Sequence, residues 1–230
     1  MLKESSIPYS VSNIGGIHMY CGYRSFSFVD YPKKICSVLY TSGCNFRCPW
    51  CHNWKIAFEK EKNYIDEEQL HKYLNKSKKR VEALCISGGE PTIYEQLYES
   101  IRDIKNKFNF YIKLDTNGSN PKLLSKIIKS KNIDYVAMDI KSKPNKYSDL
   151  TAVKNYWEQV YQSVWMLRNS DIDYEFRMTY VPGLSDEKDI EFFENFLLNS
   201  EKGYITNAKS TEIYNIEKNE TINTDKLIMR

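Results

Sequence analysis

The stretch Thr41-Ser42-Gly43-Cys44-Asn45-Phe46-Arg47-Cys48-Pro49-Trp50-Cys51-His52-Asn53 decides the reading of this 230-residue chain. It places three cysteines within eight residues, spaced C-x3-C-x2-C, directly after the short strand-like run Cys36–Tyr40. Thiols this close suggest metal or redox chemistry in a reducing compartment rather than a disulfide frame. Cubane iron–sulfur clusters are held by thiolates from short loops, and a complete protein set is four. Three would leave one iron open. Such an iron can chelate a small molecule through an amine and a carboxylate, and so place that molecule's sulfonium within reach of an electron.

Other readings of the same loop stay open at this point. Cys48-Pro49-Trp50-Cys51 has the spacing of a thioredoxin-type dithiol pair, although Cys44 is then idle and no helix start accompanies the pair. With His52 the three thiols could form a tetrahedral zinc site, for which His52 must bend back from its neighbour Cys51. Inert buried thiols are the remaining possibility. Cys21, Cys36 and Cys85 stand alone, two of them in predicted strands, and read as small core residues.

Outward from the loop, strand-like runs alternate with helical spacing, which predicts a parallel sheet with helices packed outside it. The strands are expected at Cys36–Tyr40, Ala83–Ser87, Phe110–Asp115, Tyr135–Ile140, Tyr174–Tyr180 and Thr211–Tyr214, six being enough for an open barrel. The helices are expected at Glu67–Leu74, Tyr94–Phe108, Lys122–Lys129, Tyr156–Arg168 and Asp186–Leu198. Glycine and proline breakers mostly follow strands, at the end where barrel enzymes build their sites. The whole chain, 1–230, reads as a single domain. Its core spans about 35–198, with an N-terminal extension (1–34) and a short C-terminal tail (199–230), both loosely attached.

Composition sets outer limits. Thirty-three Lys and Arg against 30 Asp and Glu leave a formal charge of +3, which argues against a nucleic-acid or membrane-surface binder. No run reaches the roughly 20 apolar residues of a membrane span, and the first ten residues include Lys3 and Glu4 with no apolar block behind them. A cytoplasmic protein is expected. The 18 tyrosines are spread along the chain and read as compositional bias.

Further chemistry-bearing residues lie at the predicted strand ends. Ser87-Gly88-Gly89-Glu90-Pro91-Thr92 offers two glycines that let the backbone approach a ligand and a carboxylate that can accept from an ammonium. Asp115-Thr116-Asn117-Gly118 and Asp139-Ile140-Lys141 follow the next two strands, and carboxylates at several strand ends of one barrel converge on one mouth. Each could instead cap a helix or turn. Arg177 alternates within the fifth strand; pointing inward it would bind a carboxylate, pointing outward it would be solvated.

The Cys44-Cys48-Cys51 motif, with Trp50 before its last cysteine and Gly88-Gly89-Glu90 after the next strand, resembles the radical S-adenosylmethionine (SAM) superfamily across roughly residues 14–198. The resemblance implies an α/β fold, a partial (β/α)6 TIM-like barrel with a [4Fe–4S] cluster in its first βα loop. Gly15-Gly16, Ser27-Phe28-Val29-Asp30-Tyr31-Pro32, the cysteine loop itself, Asp115-Thr116-Asn117-Gly118, Met138-Asp139-Ile140-Lys141 and Val181-Pro182-Gly183 are further similar to the glycyl-radical-enzyme activases. Among these the anaerobic ribonucleoside-triphosphate reductase activating group fits best, with pyruvate formate-lyase activating enzyme as a relative.

By this resemblance Cys44, Cys48 and Cys51 ligate three irons and the fourth binds the amino and carboxylate groups of SAM. Trp50 lies near the adenine, and Gly88, Gly89 and Glu90 receive the ammonium. Asp115, Asp139 and Lys141 lie beside SAM, and Arg177 lies near its carboxylate. The implied activity is reductive cleavage of SAM to a 5′-deoxyadenosyl radical, with a flavodoxin- or ferredoxin-type electron donor. A glycyl radical enzyme is the partner; a ribosomal peptide or small heterocycle is the alternative substrate. Two departures bear on this. Tyr31-Pro32-Lys33-Lys34 stands where the activases usually have Y-P-G-K, so a different turn is expected there. The eight-iron insert of many relatives is also absent, since only about fifteen residues separate Cys51 from Asp66.

Overall fold

The run Cys36-Ser37-Val38-Leu39-Tyr40-Thr41 forms a strand, and Leu39 on one face packs in a different cluster from Cys36 and Val38 on the other. That two-sided burial is what a strand in a wrapped α/β sheet requires. A computed structural model describes residues 19–58, 63–217 and 222–230; Gly15-Gly16 lie outside the described residues. The strands form one eight-stranded sheet in chain order. They are β1 (Tyr20–Ser27), β2 (Cys36–Thr41), β3 (Ala83–Gly88), β4 (Tyr111–Thr116), β5 (Tyr135–Asp139), β6 (Asp173–Tyr180), β7 (Gly203–Asn207) and β8 (Ile228–Met229). From β2 to β7 every pairing is parallel, which gives the six strands of a partial barrel.

Helices link the parallel strands: α1 (Trp54–Ala57), α2 (Glu67–Lys78), α3 (Leu97–Phe108), α4 (Pro121–Lys129), α5 (Tyr147–Thr151), α6 (Trp157–Arg168) and α7 (Glu187–Phe196). Local chemistry sets several of their starts. Asp66 and Asp186 form capping boxes for α2 and α7, while Asn120 accepts from the Leu123 amide ahead of α4, which carries Pro121 at its start. Among the described residues no helix is long and apolar enough to cross a membrane.

Three expectations need correction. The sixth parallel strand is Gly203–Asn207, and Thr211–Tyr214 is a tight turn whose Thr211 hydroxyl accepts from the Ile213 and Tyr214 amides. The β7 run shows little pattern because it is five residues long and mixes Gly, Tyr, Ile, Thr and Asn; Leu197 and Leu227 pack their side-chain ends where a Cβ on Gly203 would stand. Second, β1 pairs antiparallel with β2, so part of the N-terminal extension is sheet; Gly22 and two register shifts blur its alternation. Third, the C-terminal segment is anchored, since β8 pairs with β7 and Arg230 makes a two-pronged pair with Glu175 at 2.7 and 3.0 Å. At the Lys33 departure φ is 61°, the left-handed conformation that glycine adopts freely, so the Tyr31–Lys34 turn keeps a backbone that favours glycine and that Lys33 adopts at a cost.

The two faces of the sheet differ in chemistry. Outward residues such as Leu39, Ile86, Leu114, Met138 and Phe176 join helix residues Leu74, Ile101, Leu124, Val164 and Phe193 in the main core. Inside the barrel, Cys36, Val38, Ala83, Cys85 and Tyr135 form a small second cluster. The inward positions of β4, β5 and β6 include Lys113, Asp115, Asp139, Glu175 and Arg177, held in ion pairs.

Glu175 is fully buried and is held by Arg230 and by the Tyr135 hydroxyl at 3.0 Å. Arg230→Ala leaves that carboxylate without its cation, and a loss of about 3 kcal/mol is expected from breaking such a pair. Chemical denaturation should show it, and the double variant with Glu175→Gln should recover part of the loss.

Candidate active site

The cysteine loop leaves β2 at Thr41 and is held by backbone contacts to three parts of the fold. The Gly43 amide donates to Ile56, the Arg47 amide to Thr151 in α5, and the Gly43 carbonyl accepts from the Glu90 amide. The Trp50 indole N–H donates to the Leu150 carbonyl at 3.0 Å, and Asn53 donates to the Gly88 carbonyl at 3.1 Å. A Cβ on Gly89 would lie 1.8 Å from the Gly43 oxygen, and one on Gly88 would lie 2.5 Å from the Thr41 nitrogen. The two glycines are therefore required first by the neighbouring backbone. They bring the two loops into direct contact.

Cys44, Cys48 and Cys51 line one cavity of about 220 Å³ together with Trp50, Gly88, Gly89, Glu90, Asp115, Asp139, Lys141 and Arg177. Every residue that the sequence pointed to thus meets at the carboxyl ends of the strands. A larger cavity of about 980 Å³ opens around Tyr31, Lys33, Tyr111, Asp134 and Asp173, by the opposite strand ends, and contains none of these residues. Size does not single out the site; the convergence of charge and sulfur does.

The thiols sit in a sulfur-rich, water-poor corner. Cys44 Sγ accepts from the Phe46 amide at 3.3 Å and from Asn117 Nδ2 at 3.9 Å, and the Cys51 amide donates to the Cys48 carbonyl. Burial pushes Cys44 up to about 12 and Cys48 up to about 11, and Cys51 is raised in the same way, while the Lys141 ammonium opposes the rise at all three. Among the described residues no three His, Cys, Asp or Glu side chains converge as a single ion requires. His52 lines the same cavity but is exposed, unlike the thiols. A four-iron cubane takes its ligands at separate corners, so three soft donors ringing a cavity suit it.

The remaining charges form one chain. Lys141 donates to Asp139 Oδ2 at 2.8 Å, and Arg177 Nε donates to Asp139 Oδ1 at 2.9 Å. Arg177 Nη1 lies 3.4 Å from Asp115 Oδ2, which also accepts from Ser87 at 2.9 Å, and Lys113 pairs with Asp115 Oδ1. Arg177 therefore points inward. Burial alone would raise both aspartates, but Arg177 with Lys141 holds Asp139 well below the usual carboxylate range, and Arg177 with Lys113 lowers Asp115. Lys141 also sits 5.3 Å from the centre of the Trp50 ring, linking the charge chain to the cysteine loop.

Glu90 is 1% exposed and accepts from four donors: the Thr92 amide and hydroxyl, the Thr116 hydroxyl at 2.7 Å and the Asn117 amide at 2.6 Å. It ties the β3 loop to the β4 loop before any ligand is considered. Burial nevertheless raises it above the ordinary range. Sequence reading missed Lys113, and it gave no separate role to Asn117, which links Cys44 to Asn45. The available signal for Lys113 was its place two residues before Asp115, on the same face of a strand whose other face carries Ile112 and Leu114.

With fold and site in view, residues 38–196 match the Radical SAM superfamily, and the chain belongs to it. Members of this superfamily use a [4Fe–4S] cluster with SAM. A Methanocaldococcus jannaschii protein, named provisionally as a glycyl-radical enzyme activating enzyme, is 34% identical over 176 residues, covering 74% of this chain and 71% of that one. The pyruvate formate-lyase-activating enzyme of Staphylococcus aureus is 28% identical over 202 residues, covering 78% and 76%. Among solved structures, Streptococcus suis SuiB bound to S-adenosylmethionine superposes with a TM-score of 0.61 at 18% identity, over 80% of this chain and 43% of SuiB. Methylornithine synthase gives 0.60 at 14% identity, over 77% and 54%. The chain spans about half the length of these solved structures, and the likeness to them is one of fold.

Two outcomes test the site's own chemistry. In Glu90→Gln the new amide nitrogen opposes one of the donors, so a loss of roughly 1–3 kcal/mol in denaturant unfolding is expected. Asp115 and Asp139 are depressed, so the stability they contribute is complete above the ordinary carboxylate pKa and is lost as pH falls below about 4. Thermal melts across that range should show an acid limb, shallower in Asp139→Asn.

Proposed function

We propose that this chain generates a glycyl radical on a partner enzyme, as a single radical SAM domain in the cytoplasm. The observation that carries the reading is the meeting of three thiols, the Gly88-Gly89-Glu90 turn and the Asp139–Lys141 and Arg177 charges in one cavity of a superfamily member. The similarity to the two activating enzymes supports the choice of partner. A flavodoxin- or ferredoxin-type protein is the electron donor in this reading.

Cys44, Cys48 and Cys51 would hold three irons of the cluster, leaving the fourth for the amino and carboxylate groups of SAM. When bound, the cluster and SAM would supply 5′-deoxyadenosyl radical chemistry, one electron from the donor cleaving the sulfonium to methionine and the radical, whose product on taking a hydrogen atom from a backbone glycine of the partner would be 5′-deoxyadenosine. The chain's own residues orient and exclude. Trp50, fixed by its bond to Leu150, lies by the adenine. Gly88, Gly89 and Glu90 receive the ammonium, and Glu90 needs no reorganisation because four donors already fix it. Asp115, Asp139 and Lys141 lie beside SAM, while Arg177, pinned between two aspartates, faces its carboxylate. The buried walls around the thiols keep water from the reacting centre.

Anaerobic reconstitution with iron and sulfide should give about four irons per chain and a brown, oxygen-bleached protein, and Cys44→Ala, Cys48→Ala or Cys51→Ala should each lose most of that iron. With reductant, SAM and a candidate glycyl radical enzyme, a glycyl doublet in the electron paramagnetic resonance spectrum is expected on the partner. SAM cleavage with no doublet on any such enzyme, or deuterium transferred to 5′-deoxyadenosine from a labelled peptide or heterocycle, overturns the assignment of substrate.

A further inference from the structure

Among the described residues, Lys113, like Glu175, is a charged side chain of the barrel interior to which the site described above gives no task, and it is nearly sealed, with 1% of its surface exposed. An unpaired ammonium at such depth would be lost to deprotonation. Here the opposite holds: burial lowers its affinity for the proton, but the Asp115 carboxylate beside it outweighs that, and the lysine is raised above its ordinary range. It stays charged. Its ammonium pairs with Asp115 Oδ1 and reaches Cys85 Sγ at 3.8 Å, one layer below the cavity floor.

The effect on the floor follows from counting the chain Lys113–Asp115–Arg177–Asp139–Lys141, in which each member pairs with the next. Without Lys113, two cations face two carboxylates and the group is neutral. With it, the group carries a net positive charge. Glu175, the third carboxylate near Arg177, is already held by Arg230 and does not alter this balance. Lys113 pairs with Asp115 Oδ1, while Arg177 approaches the same residue from the other side, its Nη1 lying 3.4 Å from Oδ2.

We propose that Lys113 is a positioning residue which acts through Asp115 to keep Arg177 available to a ligand's carboxylate. It touches neither SAM nor the cluster. The proposal rests on the reading of this cavity as a SAM site and specifies which end of the ligand Lys113 governs: the amino-acid end, not the adenosine. The electrostatic argument is that a guanidinium shared between two fully charged aspartates is a weaker partner for a third carboxylate than one whose aspartates are partly neutralised from below.

The test is equilibrium binding to cluster-loaded protein, with S-adenosylhomocysteine, which has the amino-acid carboxylate, and 5′-methylthioadenosine, which lacks it. In Lys113→Met the first should weaken tenfold or more while the second changes less than twofold, with iron content unchanged. Lys113→Gln, which keeps a donor for Asp115 without the charge, should fall between wild type and Lys113→Met and serves if the latter does not fold. In the Asp115→Asn background, Lys113→Met should add little to the loss. Equal weakening of both ligands, no weakening of either, or additive losses in the double variant would overturn the role of Lys113. A wild-type protein that binds S-adenosylhomocysteine no better than 5′-methylthioadenosine would instead overturn the reading of the cavity itself.

Discussion

The carbonyl of Gly43 occupies the place where any side chain on residue 89 would begin. That contact between two backbones is the constraint on which the site depends. It brings the thiol-bearing loop after β2 against the Gly-Gly-Glu loop after β3, and the Glu90 amide closes on the Gly43 carbonyl. Because neither segment has a side chain there, no repacking can replace the contact, and the spacing between sulfur and the turn is set by main-chain geometry alone. Glu90 extends the same logic to the next strand, since its carboxylate joins the β3 loop to Thr116 and Asn117 after β4.

A second layer of order comes from charge. The barrel interior is divided: β2 and β3 fill it with Cys36, Val38, Ala83 and Cys85, and β4 to β6 line it with alternating cations and carboxylates. These charged groups, from sealed Lys113 and Glu175 to Asp139 with 28% of its side chain exposed, each have a partner of opposite sign at close range. The arrangement leaves the cavity rim cationic at Lys141, beside thiols that burial keeps protonated until a metal displaces the proton. Sulfur, cation and carboxylate-binding groups are thereby placed around one small space without any of them being mobile on the surface.

Much of this was legible along the chain. The parallel strands before β7 announced themselves through β-branched and apolar runs, and the longer helices through three- and four-residue spacing. Elements held by something other than their own pattern were not legible. The short helices α1 and α5 are too brief to show a period, β1 is interrupted by Gly22, and β7 is five residues of mixed polarity. The Thr211–Tyr214 run looked like a strand from its residue types, yet its hydroxyl satisfies the local amides and turns the chain back. At the site the same division appears: the candidates picked out at strand ends line one cavity, and the lysine one layer below was not picked out.

By itself the sequence determined the chemistry available and its order. The C-x3-C-x2-C spacing, the Gly-Gly-Glu turn and the acidic residues at strand ends are local facts, fixed by covalent distance and by strand alternation. Only the tertiary structure decided which face Arg177 presents, that Glu90 is committed to two loops before any ligand arrives, and that Arg230 reaches back to Glu175 across 55 residues. The reason is physical. A side chain's partners inside a barrel come from neighbouring strands dozens of residues away, and whether a buried charge is supported depends on those partners rather than on anything beside it in the chain.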